Sequence, residues 1–245
     1  MNLREPIHLL NYGLSNIVTI SEDFEPDATL TTIIEDPNPK VIEDPVVYIY
    51  NSHQLENYNT SYLEAYNIKP NVMMASYILR EKLNDLNIRT IVETNSVEAI
   101  LTANSWNYAS SYQASRILMQ DAKTTTPTLT YFIDLHRDSS KREKTTLEID
   151  NEKYAKVLFV VGKEHENYNQ NLEFVTKINE KLKTFHVDLS RGIYLKEGAG
   201  VNGIYNQDFS PYTILIELGG PENTIDEVAN TIDILAKVIY ECIQE

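Results

Sequence analysis

Val46-Val47-Tyr48-Ile49-Tyr50-Asn51-Ser52-His53-Gln54-Leu55-Glu56 is the stretch on which the reading of the whole chain turns. Its first five residues are β-branched or aromatic, the composition of a strand covered on both faces. The run then hands a histidine and a carboxylate to the loop that follows. In an open α/β sheet the carboxyl ends of the strands face the ligand crevice, which would put His53 at its edge with Glu56 one short turn further on. A lone His-x-x-Glu is common by chance in a chain rich in glutamate. Two later apolar runs give it weight, because Leu129-Thr130-Tyr131-Phe132-Ile133-Asp134-Leu135-His136 and Thr213-Ile214-Leu215-Ile216-Glu217-Leu218 also carry a titratable residue at their ends.

Between these runs the pattern changes from strand to helix and back. Pro70 is placed to open a helix over 70–87, with Val72, Met73, Ala75, Leu79 and Leu83 at helical spacing. Residues 89–94 read as a strand, and helical segments run from Ser96 to about Ala122. In that region Trp106, Tyr108 and Tyr112 are expected to pack in the core. Residues 145–161 read as a hairpin turning at Asn151-Glu152, with Val157 to Val161 as its inner strand. A helix follows over 167–185, then a short strand at Gly192 to Leu195 and a glycine-rich loop over 198–203. Asn223 or Thr224 caps a closing helix that reaches Ile243. Strands alternating with helices predict a single α/β domain with a largely parallel twisted sheet flanked by helices.

The 245 residues, 42% of them hydrophobic, are enough for one sizeable core. Residues 1–45 hold five prolines and two acidic groups and read as an N-terminal linker or extension with one short strand near Ile7 to Ile20. The folded domain is expected over 46–245. With 36 acidic against 21 basic residues the net charge is -15, which opposes binding to nucleic acid or an anionic membrane surface. Cys242 is the single cysteine, so no disulfide forms within the chain. No apolar run approaches the roughly 20 residues of a membrane span, and the chain is expected to be soluble as it stands.

Two imidazoles and one carboxylate, His53, His136 and Glu56, form the three-ligand set of a catalytic zinc site and leave a fourth position for water or substrate. Glu217 has a different setting. It interrupts an apolar strand end, where burial raises a carboxyl pKa toward the range of a general base. Asp134 shares a strand face with His136 and can orient it as a hydrogen-bond acceptor or simply end the strand. The remaining histidines, His8, His165 and His186, are expected in the tail and on the surface.

Six segments together resemble the stage II sporulation protein P family. They are Ile49 to Glu56, Phe132-Ile133-Asp134-Leu135-His136-Arg137-Asp138-Ser139, Phe159 to His165, Leu189-Ser190-Arg191-Gly192, Gly203-Ile204-Tyr205-Asn206-Gln207-Asp208, and Ile216-Glu217-Leu218-Gly219-Gly220-Pro221-Glu222-Asn223-Thr224. The resemblance implies a zinc amidase/peptidase-like, phosphorylase/hydrolase-like fold over 46–245. It also implies a Zn2+-dependent cell-wall hydrolase, similar to the N-acetylmuramoyl-L-alanine amidases, that removes stem peptides from peptidoglycan glycan strands and cuts peptide cross-links. A lytic transglycosylase would be its partner during engulfment in sporulation. The work would be extracytoplasmic and membrane-associated, through an anchor that family members carry ahead of the catalytic domain.

On this resemblance His53 and His136 are metal ligands and Glu217 is the catalytic glutamate. The third ligand is Glu56 or Glu64: the wider amidase family places its metal glutamate nearer Glu64, whereas the spacing of His53-x-x-Glu56 favours Glu56. Arg137, Arg142 and Arg191 are candidates for gripping a substrate carboxylate or an oxyanion, Arg137 first among them. Asn206, Gln207 and Asp208 are expected to rim the cleft. Two other classes compete with the amidase. A metallocarboxypeptidase-like enzyme would need a closed pocket with a cation for a free carboxylate, and a non-catalytic wall-binding or assembly module would need no zinc.

Overall fold

The computed structural model describes residues 34–60, 63 and 69–245, so the strand expected near Ile7 to Ile20, His8 and Glu64 lie outside the described residues. Six strands form one sheet: β1 (Val47–Tyr50), β2 (Thr90–Val92), β3 (Tyr131–His136), β6 (Val157–Gly162), β7 (Ser190–Lys196) and β8 (Thr213–Leu218). Their order is β2-β1-β3-β8-β6-β7. The neighbours β2, β1, β3 and β8 are parallel, as are β6 and β7, and β6 meets β8 antiparallel. The protein is therefore a single-domain α/β structure with a mostly parallel six-stranded sheet. The chain steps from β1 outward to β2 and then returns to β3 on the other side of β1. That reversal opens a crevice at the carboxyl ends of β1 and β3, where His53 and His136 lie.

Helices cover both faces: α1 (Val72–Asp85), α2 (Val97–Ala103), α3 (Ser111–Thr125), a single turn α4 (Arg142–Thr145), α5 (Tyr168–Phe185) and α6 (Ile225–Gln244). Alternation along the strands sorts the side chains. Val47, Ile49, Ile133, Leu135, Ile214, Ile216 and Leu218 enter the main core with the apolar faces of α1, α5 and α6. Tyr48, Tyr50 and Phe132 point the other way and pack with Met119 of α3. Asp134, His136 and Glu217 continue this second set of positions, so all three leave the sheet on the face that α3 covers.

Several elements differ from the sequence reading at their ends. Asn71, rather than Pro70, starts α1, because its side chain accepts from the N–H groups of Met73 and Met74. The helical region after Ser96 breaks at Ser105, whose φ of 53° is left-handed, and resumes through a 3-10 turn at Tyr108–Ser110. The hairpin is β4 (Thr146–Ile149) with β5 (Glu152–Ala155), and its turn is Asp150-Asn151, both left-handed, as a two-residue turn requires. Residue Lys156 separates β5 from β6, which joins the main sheet instead. Thr224 caps α6 in a reciprocal capping box with Glu227, while Asn223 bonds Gly220 N–H and the Glu227 carboxylate. Ahead of β1, Arg80 of α1 grips Asp36 and the carbonyl of Asn38, and Tyr77 Oη donates to the carbonyl of Ile34. Among the described residues no helix is long and apolar enough to cross a membrane.

Candidate active site

His53 stands three residues past β1 in a turn closed by Glu56 N–H donating to the carbonyl of His53. That turn swings the Glu56 carboxylate back between two imidazoles. Its Oε1 lies 3.5 Å from His53 Nδ1, and its Oε2 lies 3.5 Å from His136 Nδ1. The His53 and His136 rings meet edge to face at 5.0 Å. One donor atom from each of the three residues falls within 4.8 Å of the others. The backbone N–H of Arg137, at the end of β3, donates to Glu56 Oε2 at 2.9 Å and holds the carboxylate in place.

Behind His136, Asp134 is fully buried. Its Oδ1 accepts from Ser52 N–H at 2.9 Å and its Oδ2 from Ser52 Oγ at 2.7 Å. Oδ1 also lies 2.9 Å from His136 Nε2, though off the N–H axis. Glu217 faces the cluster from β8, in register with His136 on the neighbouring strand, where adjacent chains run about 4.8 Å apart. Its Oε2 is shielded from solvent and unpartnered among the described residues.

The electrostatics follow from this packing. Burial pushes the Glu217 carboxyl up to about 7, helped by the charges of Glu56, Asp138 and Asp134 and opposed by His136. Burial acts the same way on Glu56, yet hydrogen bonds from His136, His53 and Arg137 N–H outweigh it and lower that group to about 2. Burial would neutralise His136, but Asp134 and Glu56 hold it well above its ordinary value. Three carboxylates thus surround two imidazoles, and one carboxylate oxygen stays shielded without a partner. Two nitrogens and an oxygen converging beside surplus negative charge is the donor set that suits a divalent cation of the zinc type.

The surroundings correct several expectations. Tyr108 and Tyr112 are not core residues: Tyr108 stacks on His53 at 4.7 Å, and Tyr112 contacts both His53 and His136 at 5.4 and 6.2 Å. Trp106 does pack on the small core of α2 and α3, as expected. Arg142 is committed to Glu227 and the carbonyl of Glu222, and Arg191 to Asp138. Arg137 donates to the carbonyls of Asn57 and Asp138, so neutral acceptors fix its charge beside the cluster. Asn206, Gln207 and Asp208 brace the loop, bonding Tyr112 O, Gly162 N–H and Arg116 respectively. His165 is half-buried, with both ring nitrogens shielded from solvent. Gly219, with φ of 67°, and Gly220 turn the chain after Glu217; a Cβ on Gly220 would sit 2.6 Å from the carbonyl oxygen of Ser140.

The sequence model of "Stage II sporulation protein P (SpoIIP)" matches residues 19–240. The chain belongs to that family. Stage II sporulation protein P of Bacillus subtilis (strain 168) is 33% identical over 173 residues, which cover 71% of this chain and 43% of that protein. This SpoIIP-family chain therefore spans less than half the length of the curated relative. A solved metallo-carboxypeptidase from Burkholderia cenocepacia is similar at 12% identity and a TM-score of 0.47, over 85% of this chain and 58% of its own. Within the SpoIIP match fall His53, Glu56, His136 and Glu217, together with Ser52, whose part in holding Asp134 went unread in the sequence. The signal was there in the spacing: Ser52 adjoins one histidine, and Asp134 stands two residues, one strand repeat, before the other.

Proposed function

We propose that this chain is a zinc-dependent peptidoglycan hydrolase that cleaves the amide between N-acetylmuramic acid and the L-alanine of the stem peptide. The observation that carries the reading is Glu217, whose Oε2 is shielded and unpartnered among the described residues and whose pKa is raised to about 7, beside a preformed group of His53, Glu56 and His136. A carboxylate in that state suits proton transfer near neutral pH and serves no structural contact.

His53, Glu56 and His136 would hold the ion, and zinc bound there supplies positive charge that polarises an amide carbonyl and acidifies a water. Glu217 would take a proton from the water that adds to the amide carbonyl carbon and hand it to the amine nitrogen as the C–N bond breaks. Arg137, its guanidinium anchored by Asn57 and Asp138, meets negative charge on the substrate, either the developing oxyanion or a stem-peptide carboxylate. Asp134 and Ser52 keep the His136 ring turned so that Nδ1 faces the cluster. The polymer would be met outside the cytoplasm during engulfment, alongside a lytic transglycosylase that cuts the glycan itself.

Digestion of purified sacculi with the zinc-loaded protein, read by mass spectrometry, tests this proposal. Free stem peptides beginning at L-alanine and intact glycan strands are the expected products. Loss of only the terminal residue of each stem would identify a carboxypeptidase instead, and unchanged sacculi with no bound zinc would identify a binding module.

A further inference from the structure

Two unlike groups border the cluster. One is the cation of Arg137, held by the carbonyls of Asn57 and Asp138. The other is a continuous row of rings. Tyr108 stacks on His53 with an interplanar angle of 19°, Tyr112 bridges His53 and His136, and Tyr205 meets Tyr112 edge to face at 5.4 Å. Tyr108 is 56% exposed although His53 covers one of its faces, so its other face is open. Its backbone is held rigid: Asn107 caps the 3-10 turn, and Ser111 Oγ donates to the carbonyl of Tyr108 at 2.7 Å. Tyr205 and Asn206 are consecutive left-handed residues without being glycine. Asn202 accepts from Tyr205 N–H, and Asn206 bonds both Tyr112 O and Ser115 Oγ, so the strained turn is fixed against the row.

Beside Tyr108 lies a shallow dimple of about 10 Å³, room for about one water, lined by His53, Leu55, Val97, Leu101 and Tyr108, with Gln54 and Glu98 among its polar walls. A flat exposed ring next to a small, mainly apolar dimple fits one chemistry well. The C–H face of a pyranose packs on the ring, and the methyl of an acetamido group rests over the dimple beside it. Neither feature suits the acidic stem peptide, which Arg137 would take.

We infer that Tyr108 and the dimple beside it form a subsite for an N-acetylated amino sugar, so that the glycan lies on the tyrosine row and the stem peptide leaves past Arg137. This inference rests on the hydrolase reading for the identity of the sugar. The scissile amide then lies between Tyr108 and Arg137, over His53, His136 and Glu217.

The test uses zinc-loaded Glu217→Gln protein, peptide-free oligosaccharide of alternating N-acetylglucosamine and N-acetylmuramic acid, and free stem peptide, with affinities measured by calorimetry. Adding Tyr108→Ala should weaken oligosaccharide binding about tenfold or more, the loss expected for a stacked aromatic anchor. Zinc content and stem-peptide affinity should not change. Tyr108→Trp keeps an open ring face and should retain sugar binding. Unchanged oligosaccharide affinity in Tyr108→Ala, equal loss in Tyr108→Trp, or loss of stem-peptide affinity instead would overturn the subsite. If wild-type protein releases no stem peptide from sacculi while sugar binding still depends on Tyr108, the hydrolase reading fails and the subsite stands.

Discussion

His136 and Glu217 occupy paired positions on adjacent parallel strands, one at the end of β3 and the other on β8, and both point to the face covered by α3. The pairing sets an imidazole of the His53, Glu56 and His136 group beside the Glu217 carboxylate, whose Oε2 is shielded and unpartnered among the described residues, without relying on any loop. Elements packed into the main core fix the reach between them, and this is the arrangement that holds a reacting group steady.

The first prediction concerns the ligands. His53→Ala, His136→Ala and Glu56→Gln should each abolish stoichiometric zinc binding, because two remaining protein donors make too few for a tight site. Metal analysis after dialysis reads the outcome, and zinc should raise the melting temperature of the wild type and not of the variants. Full zinc in Glu56→Gln with loss in Glu64→Gln would move the third ligand to Glu64.

Glu217→Gln should separate metal binding from chemistry. The amide nearly copies the shape of the carboxylate but cannot accept a proton at neutral pH. Zinc content should stay at the wild-type level while release of stem peptide from sacculi falls at least about a hundredfold, the usual contribution of a general base. Loss of zinc would make Glu217 a ligand. Retained activity would send the search for the base to Glu56, Glu64 or Asp134.

Much of this site can be read in the chain because strand ends announce themselves. Val47 to Tyr50, Tyr131 to His136 and Thr213 to Leu218 are short apolar runs of fixed period; the sheet itself places His136 and Glu217, and His53 follows β1 by three residues. What escaped the reading depends on contacts between distant segments. Tyr108 and Tyr112 carry the spacing of core residues, and only the break at Ser105 turns them toward His53. Arg142 and Arg191 look as available as Arg137 until Glu227 and Asp138 are seen to hold them. The antiparallel entry of β6 likewise depends on the β4–β5 hairpin, whose turn chemistry was misplaced by one residue.

The raised pKa of Glu217 sets a pH prediction for the metal-free protein. Its folded value of about 7 exceeds the ordinary 4.5, so the folded state holds this proton more tightly than the unfolded state does. The stabilisation is complete below about pH 4.5 and is lost as pH rises through 7. Glu217→Gln removes that loss, so the melting-temperature difference between variant and wild type should grow in favour of the variant from pH 4.5 to 8. The ceiling is about 3 kcal/mol, from a shift of roughly two and a half pKa steps at 1.36 kcal/mol each. Glu56 does not confuse the reading, because its lowered value of about 2 confines its own effect to more acidic solution. Calorimetric melts in chelator at pH 5, 6, 7 and 8 check this, and a constant difference across the series would contradict it.

The last prediction is that Asp134→Asn weakens the metal site without unfolding the protein. Asp134 is fully buried, and its two oxygens serve Ser52 N–H, Ser52 Oγ and the Nε2 side of His136. An asparagine in the same pose keeps its carbonyl oxygen toward Ser52 N–H and His136. Its NH2 then faces Ser52 Oγ, which can accept as well as donate, so no buried group is stranded. What disappears is the negative charge behind the imidazole, which makes His136 the better donor and keeps its ring turned toward Glu56. Loss of such a partner lowers metal affinity about 10- to 100-fold. Competition with a chromophoric chelator measures that shift, and circular dichroism of the metal-free variant checks the fold. Ser52→Ala should weaken zinc less, since the backbone N–H of residue 52 still binds Asp134. Zinc affinity unchanged in Asp134→Asn would make Asp134 a structural acceptor for Ser52 alone, and collapse of the fold would show that its charge is needed by the sheet before it serves the metal.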